Sequence, residues 1–147
     1  MDWEIIPFEG MGPIRFGMSP EQVSGLIGEP ESEDDEDDGS LREYRSVELP
    51  IISYENGHVS EIEAFYDVKG VSFRTRDIFS GNGLETMQFL ERENGGAEIN
   101  VGIVLYDNIG ITCGRLDEGA RGDHSVTAFA RGLWDESRPR FKQISFL

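Results

Sequence analysis

Gly17-Met18-Ser19-Pro20-Glu21-Gln22-Val23, continuing through Leu26-Ile27-Gly28-Glu29-Pro30, spells out a short helix with both ends marked. Ser19 suits the N-cap, and Pro20 suits the first helical position, where its missing N–H costs nothing. Gln22 falls three residues after the cap and completes a Ser-x-x-Gln capping box. Met18 and Val23 occupy the two positions of a hydrophobic staple. Val23, Leu26 and Ile27 recur at helical spacing as an apolar face, and Gly28 with Pro30 ends the run. The pattern predicts about two turns over 20–27, held by that face more than by intrinsic propensity.

Working outward, a second helix is predicted over 83–93. Asn82 can cap it, Glu85 follows three residues on, and Leu84, Met87 and Leu90 share a face before Asn94-Gly95-Gly96. The rest reads as strand and turn. Ile99, Val101, Ile103 and Leu105 alternate, and Asp107-Asn108 fits a two-residue hairpin before Ile109, Ile111 and Cys113. Asn56-Gly57 is an equally good hairpin turn, joining 51–54 to 59–66. Further strands are expected near 2–8, 41–47, 71–76, 125–133 and 141–146, with a loop over 116–123. In this order each helix is followed by three strands, a tandem α-β-β-β repeat with halves near 1–67 and 68–147. The halves share an order of elements, not a sequence. At 147 residues the chain is expected to form a single domain, 1–147. The alternation favours a mainly antiparallel sheet with one wet face and two short helices on the other, an α+β fold.

The residues Gly17-Met18-Ser19, Val23 and Gly28-Glu29-Pro30 follow the pattern G-M-[ST]-x-x-x-V-x-x-x-x-G-x-P. This resembles the SmpA/OmlA outer-membrane-assembly lipoprotein domain and the beta-lactamase-inhibitor-protein-like fold, over about fourteen residues. The doubled order of helix and strands is similar to the tandem architecture of the inhibitor. The resemblance implies a curved antiparallel sheet with helices behind it and a concave face that binds other proteins, without a shared catalytic centre. Departures limit the transfer. No signal peptide or lipidation cysteine stands near the start, so the lipoprotein's location is not carried over. A single cysteine leaves no disulfide framework like that of the secreted inhibitor, and neither family's partner is carried over. In size and acidity the chain also resembles bacterial toxin immunity proteins.

Charge is the second strong signal. The chain has 29 acidic and 13 basic residues, net -16. Glu29, Glu31, Glu33, Asp34, Asp35, Glu36, Asp37 and Asp38 hold half of that excess within ten residues. The run lacks apolar residues, so it is expected to be a flexible acidic loop over 29–40. Asp34, Glu36, Asp38 and Gly39 imitate the first half of an EF-hand. Its twelfth position, which should be a bidentate Glu, is Arg45, so a specific calcium site is not expected. Scarce Lys and Arg speak against nucleic acid and against anionic membranes. No stretch approaches the roughly 18 apolar residues of a membrane span. The acidic start MDWEIIPFEG is unlike a signal peptide, and lone Cys113 suits a reducing compartment, so a cytoplasmic, bacterial-type setting is expected.

Chemistry-bearing residues are few. Cys113, His58 and His124 would form a Cys-His pair only if the fold joined them, and Cys113 continues the strand alternation of Ile109 and Ile111 as a buried thiol should. No H-E-x-x-H, CxxC, GxSxG or Walker A pattern occurs. Gly10, Gly12 and Gly17 precede a helix as in phosphate loops, but no Lys follows. No residue is nominated as catalytic, metal-ligating or cofactor-binding. On the expected strand over 125–133, Val126, Ala128 and Ala130 mark the core face, while Phe129, Arg131 and Leu133 point the other way, with Trp134 following. Exposed aromatic, Arg and Leu side chains have the composition of a binding hot spot.

These observations lead to a non-enzymatic protein-binding or inhibitory module that neutralises a basic protein partner such as a toxin. Glu33, Asp34, Asp35, Glu36, Asp37 and Asp38 would steer the encounter, and Phe129, Arg131, Leu133 and Trp134 would dock. One alternative is a small-molecule-binding or enzymatic domain with its site between sheet and helix. Another is a scaffold that self-associates as a homodimer through the open face.

Overall fold

In the computed structural model, which describes residues 1–147, the capping residues act as their types predict. Ser19 Oγ accepts the Gln22 N–H at 3.2 Å and Gln22 Oε1 accepts the Ser19 N–H at 2.9 Å, a complete box at the head of α1 (Pro20–Ile27). Val23 is fully buried and Ile27 packs on the core, but Leu26, expected on the same face, is 45% exposed. So short a helix lays only a narrow stripe on the sheet. Helix α2 (Gly83–Asn94) is capped by Asn82, whose Oδ1 accepts the N–H groups of Leu84 and Glu85, and it ends at Gly95 in the left-handed conformation. Met87 and Leu90 are buried. Leu84 lies exposed at the margin, and Thr86 and Glu91 take the remaining buried places.

Fourteen strands form two sheets, mostly antiparallel, which with the helices make an α+β fold. Strands β1 (Trp3–Ile6), β2 (Gly10–Met11), β3 (Ile14–Arg15), β8 (Val71–Phe73) and β9 (Arg76–Asp77) make the smaller sheet, in the order β3-β2-β1-β8-β9. The larger sheet uses β4 (Ser32–Asp35), β5 (Ser40–Tyr44), β6 (Ile51–Glu55), β7 (His58–Phe65), β10 (Ala97–Asn100), β11 (Ile103–Tyr106), β12 (Ile111–Cys113), β13 (Ser125–Phe129) and β14 (Lys142–Ile144). Its order is β14-β10-β11-β12-β13-β7-β6-β5-β4. Each helix therefore feeds an antiparallel meander of four strands, one more than the sequence pattern indicates, and the meanders join where β7 pairs with β13.

The two additional strands have distinct causes. The acidic run expected as a loop over 29–40 contributes β4, which pairs with β5 through Ser32↔Tyr44 to Asp35↔Leu41. Backbone pairing and local hydrogen bonds replace burial there. Asp38 Oδ1 accepts from the Ser40 N–H at 3.0 Å and hydroxyl at 2.6 Å, and the Tyr44 hydroxyl donates to Asp34 at 2.9 Å. These Ser40 contacts hold the Asp38 carboxyl below its usual range. The other addition comes from a turn within the expected strand over 98–106. Val101 and Gly102 both take positive φ, 47° and 77°, so β10 and β11 are separate, and Val101 is 91% exposed at the tip. Asp107-Asn108 belongs to a longer turn closed by the Ile109 N–H on the Tyr106 carbonyl.

One cluster of 25 buried residues fills the space between the smaller sheet, both helices and one face of the larger sheet. Trp3, Ile5 and Met11 meet Ile52, Ile62, Val104, Ile111 and Val126 there, with Val23, Met87 and Leu90 from the helices. The Gly10-Met11-Gly12 segment serves this packing. A Cβ on Gly12, at φ 58°, would stand 2.6 Å from the Trp3 ring, and one on Gly10 would collide with the Ile14 carbonyl.

A buried ion pair fastens α1 to this arrangement. Arg45 Nη1 donates to Glu43 Oε1 at 3.2 Å, with both side chains almost wholly buried. Arg45 Nε donates to the Gly28 carbonyl at 2.8 Å, placing a cation at the helix C-terminus, and the Tyr54 hydroxyl donates to Glu43 Oε1 at 2.6 Å. Removing one partner leaves the other charged and unpaired in the interior, which costs about 3–5 kcal/mol. Arg45→Ala is therefore expected to lower stability by about that amount in urea denaturation. The double replacement Glu43→Leu with Arg45→Met should recover most of the loss. A loss of only a few tenths of a kcal/mol for Arg45→Ala would show that the pair is solvated.

Candidate functional site

Pairing of β7 with β13 sorts side chains to two faces of the larger sheet. Ile62 opposite Ala128 and Ala64 opposite Val126 enter the core. The residues between them, Glu61 opposite Phe129 and Glu63 opposite Thr127, stand on the other face. Registers extend this face across the sheet as a row running Asp34, Arg42, Ser53, Glu61 and Phe129. A second row runs Ile51, Glu63, Thr127, Thr112 and Leu105.

The face divides into a covered and a bare part. Leu105, Phe129 and Phe141 are buried in a second small apolar cluster, packed by Phe8, Leu133 and Trp134. Trp134 sits edge-on to both Phe129 and Phe141, with ring centroids 6.3 and 5.7 Å apart, and Phe8 meets Phe129 at 6.2 Å. Towards β4 this cover stops. A shallow cavity of about 260 Å³ lies there, a second of about 240 Å³ lies against the cover, over β7, β13, β12 and β11, and Glu61 lines both. The carboxylates of Asp34, Glu36, Glu55, Glu61 and Glu63 surround them, with Arg42 as their one cation. Arg42 donates to Glu63 at 2.7 Å and stacks on Tyr44 at 5.7 Å.

Glu61 is half-buried where the cover meets the bare face. It forms no ion pair, while its cross-strand neighbour Phe129 and the aromatic cover limit its access to water. Burial raises its carboxyl above the ordinary value. Nearby Arg42 opposes this, and Glu63 and Glu55 add to it. Beside it the Trp134 indole N–H is shut off from solvent without an acceptor in the chain.

The nominated docking residues require correction. Strand β13 ends at Phe129, and the chain turns over 131–137, so Arg131 and Leu133 do not continue its alternation. Phe129 is 1% exposed beneath the apolar cover instead of presented to a partner. Leu133 and Trp134 are half-buried parts of that cover, and exposed Arg131 lies 4.0 Å from the Phe8 ring centroid. Glu33, Asp34, Asp35, Glu36, Asp37 and Asp38 are all exposed on the edge hairpin, and only Asp34 and Glu36 also line a cavity of the bare face.

Cys113, His58 and His124 form no hydrogen-bonded group. The Cys113 thiol points into the core with its sulfur 4.0 Å from the Tyr106 hydroxyl, and burial pushes its pKa up to about 12. His58 Nδ1 contacts the Gly17 carbonyl at 2.9 Å, and His124 Nε2 contacts the Glu118 carbonyl at 2.7 Å. No group of three or more His, Cys, Asp or Glu side chains is placed to hold a metal ion. No helix is long and apolar enough to cross a membrane. No family model matches the chain, and no curated protein or solved structure matches it.

Sequence reasoning missed Glu61, Glu63 and Arg42. The available signal was the alternation Glu61-Ile62-Glu63-Ala64, which puts two carboxylates on the face opposite the core. Because the folded chain raises the Glu61 carboxyl, it holds that proton more readily than the unfolded chain. The stability contributed by this site is full below the ordinary carboxylate range and is lost as pH rises through the raised value. Glu61→Gln is expected to raise the urea midpoint at pH 7 and to change it little near about pH 4. A lower midpoint at pH 7 would contradict the desolvation of this group.

Proposed function

We propose that this chain is a protein-binding module for a basic protein partner, acting by occlusion as toxin-neutralising immunity proteins do. The observation that carries this reading is the continuity of the acidic edge hairpin with the bare, carboxylate-lined face of the larger sheet. The hairpin supplies a concentrated negative field that accelerates the approach of a cationic surface. The sheet face then offers half-buried carboxylates and an aromatic border, the combination of charge and apolar contact that specific interfaces use. Self-association through this face would set the same carboxylates against each other, which disfavours a homodimer. The doubled order of helix and antiparallel meander supports the likeness to inhibitor-type folds.

The test begins with capture from the native cell at low salt and continues with the purified partner. The captured protein is expected to be rich in Lys and Arg, and its association rate to fall about tenfold or more between 50 and 300 mM salt. Neutralising Glu33, Asp34, Asp35 and Glu36 to their amides should reduce the low-salt rate and flatten the salt dependence. A captured partner that is acidic, or an association rate indifferent to salt and to these substitutions, would overturn the reading.

A further inference from the structure

The cavity of about 240 Å³ at the border of the bare face differs from the rest of the acidic surface. Glu61 and Glu63 from β7 line one end of it and Ile103 from β11 the other, while Trp134, packed on Phe129, lines it between them. Arg42 already holds Glu63 at 2.7 Å, and Glu61 has no ion-pair partner. Phe129 and Phe141 pack the Trp134 ring edge-on, and its remaining surface lines the cavity. Three demands thus meet in one place: a positive charge for Glu61, a planar group for the indole, and an aliphatic stem for Ile103.

We propose that this cavity receives a single arginine side chain of the partner, with its guanidinium on the Glu61 carboxylate and its plane and stem against Trp134 and Ile103. Arginine meets all three demands, because its guanidinium is planar, weakly hydrated, permanently charged and stacks on aromatic faces. A lysine ammonium is a compact, strongly hydrated charge and loses more on entering a half-buried site. The volume suits one side chain and lies below the roughly 300–1,000 Å³ of ordinary small-molecule sites. Glu61, which has no ion pair in the free chain and only the nearby Arg42 to offset its charge, gains a direct partner when the cation arrives, so occupancy recovers part of a desolvation cost already present in the fold.

This inference rests on the proposed protein-binding function and is tested separately from it. The full chain at low salt is titrated with the N-acetyl amides of arginine, lysine and citrulline and followed by ¹H–¹⁵N spectra. The arginine compound is expected to shift the Thr127 and Gly114 amides and the Trp134 indole signal saturably. The lysine compound should bind several-fold more weakly, and citrulline, of the same shape without charge, should produce no saturable shift. Glu61→Gln should weaken arginine binding about tenfold, the effect of losing one charge-assisted contact. A well-dispersed spectrum of that variant, expected to be no less stable than the parent, shows that the loss is local. Equal response to citrulline or lysine, shifts confined to residues 32–38, or unaltered affinity in Glu61→Gln overturns the assignment. Those results leave the basic-partner reading standing if salt-sensitive association with the purified partner persists. Loss of that association as well would remove the reading itself.

Discussion

The antiparallel pairing of β7 with β13 is the constraint on which the rest depends. It joins two meanders into one nine-stranded sheet and aligns Ile62 with Ala128 and Ala64 with Val126 on the core side. Because side chains alternate along a strand, the same register places Glu61 beside Phe129 and Glu63 beside Thr127 on the other side. A slip of β7 by one residue would bury both carboxylates and expose Ile62 and Ala64. The core and the candidate docking face are thus two consequences of one hydrogen-bonded ladder.

The ends of this sheet are managed in different ways. At one edge β4 carries exposed acidic side chains, which discourage edge-to-edge pairing with a second copy. At the other, β14 is secured through the tail that follows it. Buried Glu91 accepts the Ser145 hydroxyl and the Phe146 N–H, both at 2.7 Å, and Gln88 donates to the Phe146 carbonyl. Carboxylates inside the molecule are consistently satisfied, Glu43 by Arg45 and Tyr54, Glu91 by the tail. Half-buried Glu61 has no such partner. A group that burdens the isolated fold and lies beside an aromatic border is the pattern expected where stability yields to binding.

Local grammar carried much of the fold. Ser19 with Gln22, Asn82 and the Asn56-Gly57 turn act through contacts within a few residues, and each forms as its type dictates. The alternation Ile99, Val101, Ile103, Leu105 misled, because a two-residue turn at Val101-Gly102 is nearly invisible when its first residue is a β-branched strand former. That turn pairs Ile99 with Val104 on the core side and sends Ile103 and Leu105 to the opposite face. The acidic run misled in the other direction: composition measures what can be buried, but β4 is held by pairing to β5. For the candidate site, the concentration of acidic residues over 29–38 was legible from charge alone, but its hairpin was not. The Arg42–Glu63 contact, the pairing of Glu61 with Phe129 and the cavity that Glu61 shares with Trp134 join residues distant in the chain, which only the tertiary register brings together.

In the free chain Glu61 is half-buried, has no ion-pair partner and has its pKa raised by partial loss of water, which is the premise of the proposed arginine site. Titration of side-chain carboxyl carbons by ¹³C spectroscopy measures this directly. Glu61 is expected to titrate above the ordinary carboxylate range. A Glu61 that titrates within the ordinary carboxylate range would contradict the account.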